Sequence, residues 1–512
     1  MTARATGWMV RIHPSRKAIL VLLTALYALS AGARAIHRPL WHDELFTLYE
    51  ASLPTAGDLL AAKLDGVDAA PPLDALFDHV LVAVFGPQAW VVRLPALLGV
   101  WLAAVCLYLF VRRRTPATYA LLAPLILYAT EAMAYAVEAR PYGMALGLAA
   151  LSLLSWQRAT AGKRHPGWTT MLALCGAAGL ATHYYNALVL ATLLAGELVR
   201  VIHRRRVEPF IPLALALPFL VMIPLAPFVA EARKLVPGTW TPPSLAHIEI
   251  TYRTLFASTA LPLAAALGLF ALFGLWKPKA LEAQGQDTEG APPGEFAALC
   301  ALLALPVLGV LGSLLVTGVF HPRYTLPVVL APAALVPLLA CRLDAGRRAI
   351  AAALLVAFSA TFAVNSVRTL VNNTQAPDVI ARHPLLAEVP DDPAPIAIGN
   401  GHVFIQVWHY APEPLRSRLV FINSIEASSR LEGSDTLARN FAALARRGPI
   451  PMVDESFLDE HEGVGVHDAK FGWLVPRLLE EGLSLEARGR EGKATLYLAR
   501  RGVDTQGSGA GL

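Results

Sequence analysis

Charge is what this chain has least of. Only 16% of its 512 residues are Asp, Glu, Lys or Arg and 55% are hydrophobic, whereas a soluble globular chain carries charge at roughly a quarter of its positions. That shortage excludes an ordinary soluble fold and implies lipid-facing surface. Cysteine is scarcer still. The four present, Cys106, Cys175, Cys300 and Cys341, lie inside apolar stretches and form no C-x-x-C pair. Neither a zinc site nor a disulfide framework is indicated, and the thiols are read as small packing residues. The net charge of +5 is gathered on no single face; it falls in short clusters between apolar runs, which argues against nucleic acid as a partner. A repeat of two similar halves, the mark of many transporters, is also missing.

What is present is a series of long apolar runs. Eleven spans are expected, near 18–36, 89–111, 118–136, 141–157, 169–182, 184–199, 210–229, 257–276, 295–317, 325–341 and 349–366, most of them close to the roughly 20 residues that cross about 30 Å of hydrocarbon as helix. The first run carries a basic lead and "AGARA" at 31–35, like a signal peptide. Its apolar core exceeds the usual length of roughly 7–15 residues, so it is read as a retained membrane helix. With the N-terminus cytoplasmic, the inner loops hold nineteen basic residues, among them Arg112 to Arg114, Arg158, Arg204 to Arg206 and Arg342. The outer loops hold seven: Arg38, Lys63, Arg140, Arg233, Lys234, Arg253 and Arg323. That bias is the positive-inside pattern. A multi-pass membrane protein is expected, with residues 37–88 facing the exterior or the periplasm.

After residue 367 the pattern changes. "PIAIGNGHVFIQVWHY", "RLVFINS", "DTLARNFAALARR" and "KATLYLARR" alternate β-rich runs with stretches of helical period, so 368–512 reads as a soluble α/β domain on the exterior side. Its "GNGHV" at 399–403 has two glycines after one short strand but lacks the full spacing of a dinucleotide fingerprint. A plain turn is the simpler reading.

The loop 37–88 holds eight acids against two bases. Its "DLLAAKL" and "LDALFDHVLVAVFG" have helical spacing and are too short to span, which suits helices lying along the interface. Glu50, Asp58, Asp74 and Asp78 are expected on the wet faces of such helices. Asp43 and Glu44, in "PLWHDELFTLYEAS", differ: they follow the first span directly and are flanked by Trp41 and Phe46, at the depth of a lipid headgroup. They are candidates for chemistry, with Asp43 alternatively an N-cap for the helix that follows.

Other groups sit at the same level. "YAVEARPYGMALGL" places Glu138 and Arg140 in a short exterior turn, "THYYN" adds His183, Tyr184 and Tyr185, and "GVFHPRYTLPVVLAP" places His321, Arg323 and Tyr324 at another exterior edge. Arginine snorkelling and aromatic anchoring are the structural readings of these. The functional one is that guanidinium forks hold a phosphate while a carboxylate works beside it.

Together, "WHDELFTLY", "EARPYGMALGL", "THYYNALVL" and "HPRYTLPVVLAP" resemble the bacterial protein O-mannosyltransferase and aminoarabinose transferase-like glycosyltransferases of the membrane-embedded GT-C class, families 39 and 83, over about residues 1–366. The resemblance implies a polytopic α-helical membrane fold, a polyprenyl-phosphate sugar as donor, an active site at the outer membrane surface, and an aspartate in the first exterior loop as base. Asp43 matches that aspartate, with Glu44 its acidic neighbour; Arg323 matches the basic residue near the donor phosphate.

The chemistry also stands on the residues alone. Transfer to an acceptor hydroxyl needs a base at the incoming oxygen and positive charge at the departing phosphate. Asp43 suits the first role; Arg323, with Arg140, suits the second. Glu138, His183, Tyr184, His321 and Tyr324 are expected to bind substrate. The residues fix no cofactor; His42, Asp43 and Glu44 are acceptable ligands for a divalent ion, which leaves metal dependence open. The acceptor is left open among lipid, glycan and protein. The competing class is a transporter or flippase of a lipid-linked sugar.

Overall fold

The computed structural model describes residues 16–162, 165–239, 241–276, 291–343, 349–375, 378–387, 394–461, 463–468 and 472–501. All eleven apolar runs are helical. In chain order, α1 spans Lys17–His37 and three loop helices follow: α2 (His42–Ala51), α3 (Ala56–Leu64) and α4 (Leu73–Phe85). Then come α5 (Leu94–Arg112), α6 (Ala117–Ala129), α7 (Tyr142–Ala159), α8 (Pro166–Thr182) and α9 (Asn186–Arg204). They are succeeded by α10 (Phe210–Lys234), α11 (Ala246–Ala271), the bent α12 (Pro293–Leu303 with Leu305–Thr317), α13 (Pro322–Leu343) and α14 (Ala349–Gln375). Among the described residues seven of these are long and apolar enough to cross a membrane, and α12, bent by 54°, makes an eighth if it counts as one span. The remaining three, α6, α7 and α8, fall short on length or apolarity. The last helix runs on to Gln375, past the change in hydropathy near residue 367.

The membrane helices share one buried core, and α5 and α7 cross backbone to backbone. A Cβ on Gly143 would lie 2.7 Å from the Ala96 carbonyl, and one on Gly147 would lie 2.5 Å from that of Gly99. Small residues four apart let two backbones meet where lipid offers no hydrophobic drive for association.

Beyond α14 lies a six-stranded mixed sheet in the order β3-β2-β1-β4-β6-β5. It contains β1 (Ile396–Ile398), α15 (Gly401–Tyr410), β2 (Leu419–Ile422), α16 (Thr436–Ala445), β3 (Met452–Val453), β4 (Val464–Asp468), α17 (Leu474–Glu480), β5 (Leu483–Glu491) and β6 (Ala494–Arg501). Strands β1 to β4 are parallel and the β5–β6 hairpin is antiparallel. The chain is thus a polytopic α-helical membrane domain with a C-terminal α/β domain.

That domain is seated on the first loop. Leu40, Leu45, Phe46 and Leu59 share one buried cluster with Ile396, Phe404 and Phe441, and the rings of Phe46 and Phe441 lie 4.8 Å apart. Polar ties surround it: Leu40 N–H to Tyr410 Oη at 2.6 Å, Tyr49 Oη with His409 Nδ1 at 2.8 Å, Asn440 Nδ2 to the Gly66 carbonyl at 2.8 Å, and an ion pair of Arg447 with Asp65.

The loop helices depart from one expectation. Glu50, Asp74 and Asp78 do not face water; they are 4%, 6% and 1% exposed. Asp58 alone of the four keeps a surface position, accepting from Thr55 Oγ1 at 2.6 Å. On α4 it is Phe77, Val80, Val84 and Phe85 that point outward. A helix at a lipid surface turns its apolar stripe to the lipid and its acids to the protein, the reverse of the pattern in water. The acids enclose Lys63, whose Nζ is 3.2 Å from Glu50 and 2.7 Å from Asp68.

Candidate active site

The loop between α1 and α2 is fixed by Glu44. Its Oε1 accepts from Arg93 Nε at 2.8 Å and Ala139 N–H at 2.9 Å; its Oε2 accepts from Arg93 Nη2 and Arg38 Nη2, both at 2.8 Å, and from Trp41 N–H at 3.3 Å. The last bond is the carboxylate half of a capping box. Helix α2 therefore starts at His42 with Asp43 inside its first turn, and the capping carboxylate is that of Glu44, not Asp43. Arg93 also donates to the Ala35, Arg38 and Pro39 carbonyls. Burial alone would raise the Glu44 carboxyl; Arg93, then Arg38 and the Ala139 amide, outweigh it and hold it below the ordinary range. With its roughly four lone-pair sites engaged, Glu44 does not fit as third ligand of a cation shared with His42 and Asp43. Among the described residues no group of three or more His, Cys, Asp or Glu is arranged to hold a metal.

Glu44 and Thr47 tie α2 to the turn 138–140, Thr47 Oγ1 donating to the Ala139 carbonyl at 2.9 Å. This turn brings Arg140 to Asp43, whose side chain is 23% exposed. Asp43 Oδ2 is 3.5 Å from Arg323 Nη1, and its Oδ1 is 3.4 Å from His42 Nε2. Burial would raise its carboxyl; Arg140 first, then His42, Arg323 and His402, reverse that and depress it. Burial opposes the charge on Arg140 too, but Asp43, Tyr142, Asp68 and Glu138 raise it well above the ordinary guanidinium. Among the described residues the Nε atoms of Arg140 and Arg323 are buried without a hydrogen-bond partner, as are those of Arg34, Arg38, Arg112 and Arg158.

Beneath the arginines is an aromatic floor. The Arg323 guanidinium lies 5.1 Å over the Tyr142 ring, which neighbours His183 at 5.5 Å and Tyr324 at 6.3 Å. Tyr324 also meets Tyr185 at 5.1 Å and His321 at 6.1 Å. Burial, then Arg323, lowers His183 to about 3 and His321 to about 4, so both are neutral. Glu138 is raised to about 7 by burial, partly offset by Arg323 and Arg140. It also lines a cavity of about 280 Å³ with Arg38, Trp41, Asn373 and Gln406.

The structure thus gathers Asp43, Arg140, His183, His321, Arg323 and Tyr324 into one group with His42, and Glu138 onto its margin. Tyr184 is the outlier: its buried hydroxyl has no hydrogen-bond partner among the described residues, and the charges that act on it are those of Asp68 and Lys63. Three residues at or beside the group, Arg93, Tyr142 and His402, were not singled out from sequence. Arg93 is an arginine within an apolar run, a signal in itself. Tyr142 lay inside a quoted motif. Tyr185 ties three elements, its hydroxyl bonding Ser313 at 2.6 Å and the Val319 carbonyl at 2.7 Å. His402 comes from the C-terminal domain, its ring 4.0 Å from that of His42.

Known proteins resemble this arrangement at the level of fold. Residues 69–229 match the profile of the family described as dolichyl-phosphate-mannose-protein mannosyltransferase, well under half of the chain. The sequence matches none of the curated proteins. Among solved structures, ArnT from Cupriavidus metallidurans superposes with a TM-score of 0.62 at 14% identity, covering 94% of this chain and 97% of that one in the apo state. Bound to undecaprenyl phosphate, it gives the same score over 98% of its length. The chain has the GT-C fold. An oligosaccharyltransferase from Archaeoglobus fulgidus, at 10% identity and a TM-score of 0.47 over 88% of this chain and 67% of that one, is a more distant likeness.

Proposed function

We propose that the chain is a glycosyltransferase that moves a sugar from a polyprenyl-phosphate donor to an acceptor hydroxyl at the outer face of a bacterial inner membrane. The observation that carries this is the Asp43 carboxylate, partly open and held ionised by Arg140 and Arg323 beside it. The matched family profile and the ArnT complex both refer to polyprenyl phosphates, which supports the choice of donor.

In this reading Arg323 and Arg140 bind the donor phosphate, and Tyr142 and Tyr324 form the floor under them. Asp43 takes the proton of the acceptor hydroxyl as its oxygen attacks the anomeric carbon. The bond from that carbon to the phosphate oxygen breaks, and its electron pair leaves on the polyprenyl phosphate. One displacement with one carboxylate as base inverts the anomeric centre. Glu44, with both oxygens engaged, acts by positioning: it sets the α2 start and the Arg140 turn.

The test is a purified chain in nanodiscs, given a panel of polyprenyl-phosphate sugars and hydroxyl acceptors with no gradient. Release of polyprenyl phosphate is expected. Movement of intact sugar lipid across sealed vesicles, with no release, would overturn this reading in favour of a flippase.

A further inference from the structure

The Asp43 carboxylate is bracketed. Oδ2 faces Arg323 and Oδ1 faces His42, and behind His42 stands His402, edge to face at 4.0 Å. His402 is exposed and belongs to the first turn of α15, so the C-terminal domain approaches the carboxylate on its His42 side.

The position is built into the domain. In the order β3-β2-β1-β4 the chain runs outward from β1 in one direction and returns to its other side with β4, so the β1/β4 boundary is a topological switch point, where open α/β sheets bind ligands at the carboxyl ends of their strands. "GNGH" occupies that end of β1. A Cβ on Gly399 would lie 2.5 Å from the Leu474 side chain, and one on Gly401 2.5 Å from the Phe441 ring, so both glycines are needed for the helix to start this close to the sheet. Asn400 caps it, its Oδ1 accepting from Val403 N–H at 3.2 Å. The turn of "GNGHV" is therefore a strand-to-helix junction that projects one imidazole. The contacts of Tyr410, His409 and Phe441 with the first loop hold that imidazole over His42.

We propose that His402 is an acceptor-binding residue: with His42 it hydrogen-bonds the hydroxyl that Asp43 deprotonates, so the C-terminal domain completes the acceptor side of the site. This rests on the transferase reading. In-line displacement requires acceptor oxygen and leaving phosphate on opposite sides of the anomeric carbon; one carboxylate oxygen faces the His42 imidazole and the other the Arg323 guanidinium, so a group suited to each end of the displacement stands beside Asp43. Burial lowers His42 to about 4, so this ring is a neutral donor and acceptor that adds no positive charge where the nucleophile approaches.

The experiment uses the full chain in nanodiscs with a turned-over polyprenyl-phosphate sugar. The hydroxyl probes are glycerol in solution and phosphatidylglycerol in the bilayer, and water supplies the background of hydrolysis. His402→Ala is expected to raise the KM for whichever probe accepts by roughly tenfold, the loss of about one hydrogen bond, while donor KM changes less than twofold. His402→Gln should recover part of the loss. A donor KM raised as much as the probe KM would show a merely structural role, and unchanged probe KM would overturn the inference alone. Donor hydrolysis with transfer to neither probe would overturn the acceptor assignment of this side. No donor turnover by the wild-type chain would overturn the transferase reading, and this inference with it.

Discussion

At the scale of the residue, the site is a competition between burial and charge, and Asp43 and Asp78 settle it in opposite ways. Asp43 has arginines near it and stays ionised, so Asp43→Asn, which keeps size and polarity, should leave donor binding intact and cut turnover by roughly 10²–10⁴-fold. Arg323→Ala should weaken donor binding as well, because the phosphate is present both before and during transfer. Near-normal turnover in a folded Asp43→Asn chain would remove the aspartate as base. Asp78 has both oxygens buried without partners; burial, then Asp74 and Glu50, raise it well above the ordinary range, with Lys63 opposing. Burial likewise raises Glu50 to about 7 and Asp74 to about 6. A carboxyl raised on folding lends stability below its unfolded pKa and loses it as pH rises through the folded value. Asp78→Asn should therefore raise the thermal transition more at pH 8 than at pH 5; an equal shift at both would show that Asp78 does not titrate in this window. Asp43 and Arg323 were legible in the sequence because a charge at the edge of an apolar run is conspicuous. The burial of Asp78 was not, since the inverted amphipathicity of α4 shows only when one knows which side of the helix meets lipid.

At the scale of the element, α7 carries the site through its packing. Tyr142, under the Arg323 guanidinium, is adjacent to Gly143, and the Gly143-x-x-x-Gly147 face lies against Ala96 and Gly99 of α5. A side chain at Gly147 must push backbone, not a flexible side chain, so Gly147→Val should cost about 1–3 kcal/mol and shift the Tyr142 end of the helix. A lower thermal transition together with a raised donor KM is expected. Leu98→Ala, on the outward side of α5 at 57% exposure, should change neither; equal effects from both would deny the crossing its role. The helices themselves could be read from the apolar runs, as could β2, α16 and β6 from "RLVFINS", "DTLARNFAALARR" and "KATLYLARR". The junction at 399–403 could not, because what makes it more than a turn is the contact of His402 with a ring at the other end of the chain.

At the scale of the whole molecule, polar contacts sort the helix ends into two groups, and that sorting bears on how many helices cross. One group joins Arg114 to Glu295 at 2.5 Å, Gln157 to Glu295 at 3.1 Å and Trp156 to Glu197 at 3.1 Å. The other holds Asp43, Arg140, His183 and Arg323, and the C-terminal domain joins its side through Asp65 and Gly66, with Ser434 Oγ reaching the Gly238 carbonyl at 2.5 Å. The chain leaves the first group at Arg114, reaches the second at Arg140, returns by Gln157 and comes back by His183, so α6, α7 and α8 each connect opposite ends although none has the length and apolarity of a solitary span. α6 covers only about 20 Å at 1.5 Å per residue and relies on the turn Ala132–Tyr135 to finish the distance; packed among neighbours, such a helix need not meet lipid along its whole length. With α12 as one bent crossing, we infer eleven crossings. Reporter fusions after Arg114 and Arg206 should then read cytoplasmic, and fusions after Gly57, Gly238 and Ser417 exterior, in line with the basic bias of the inner loops. If only the seven long helices crossed, Arg206 would read exterior and Gly238 cytoplasmic, and Arg140 and His183 would lie on the membrane face opposite Asp43. That pair of fusions decides at once whether the arginines and the carboxylate can serve one reaction.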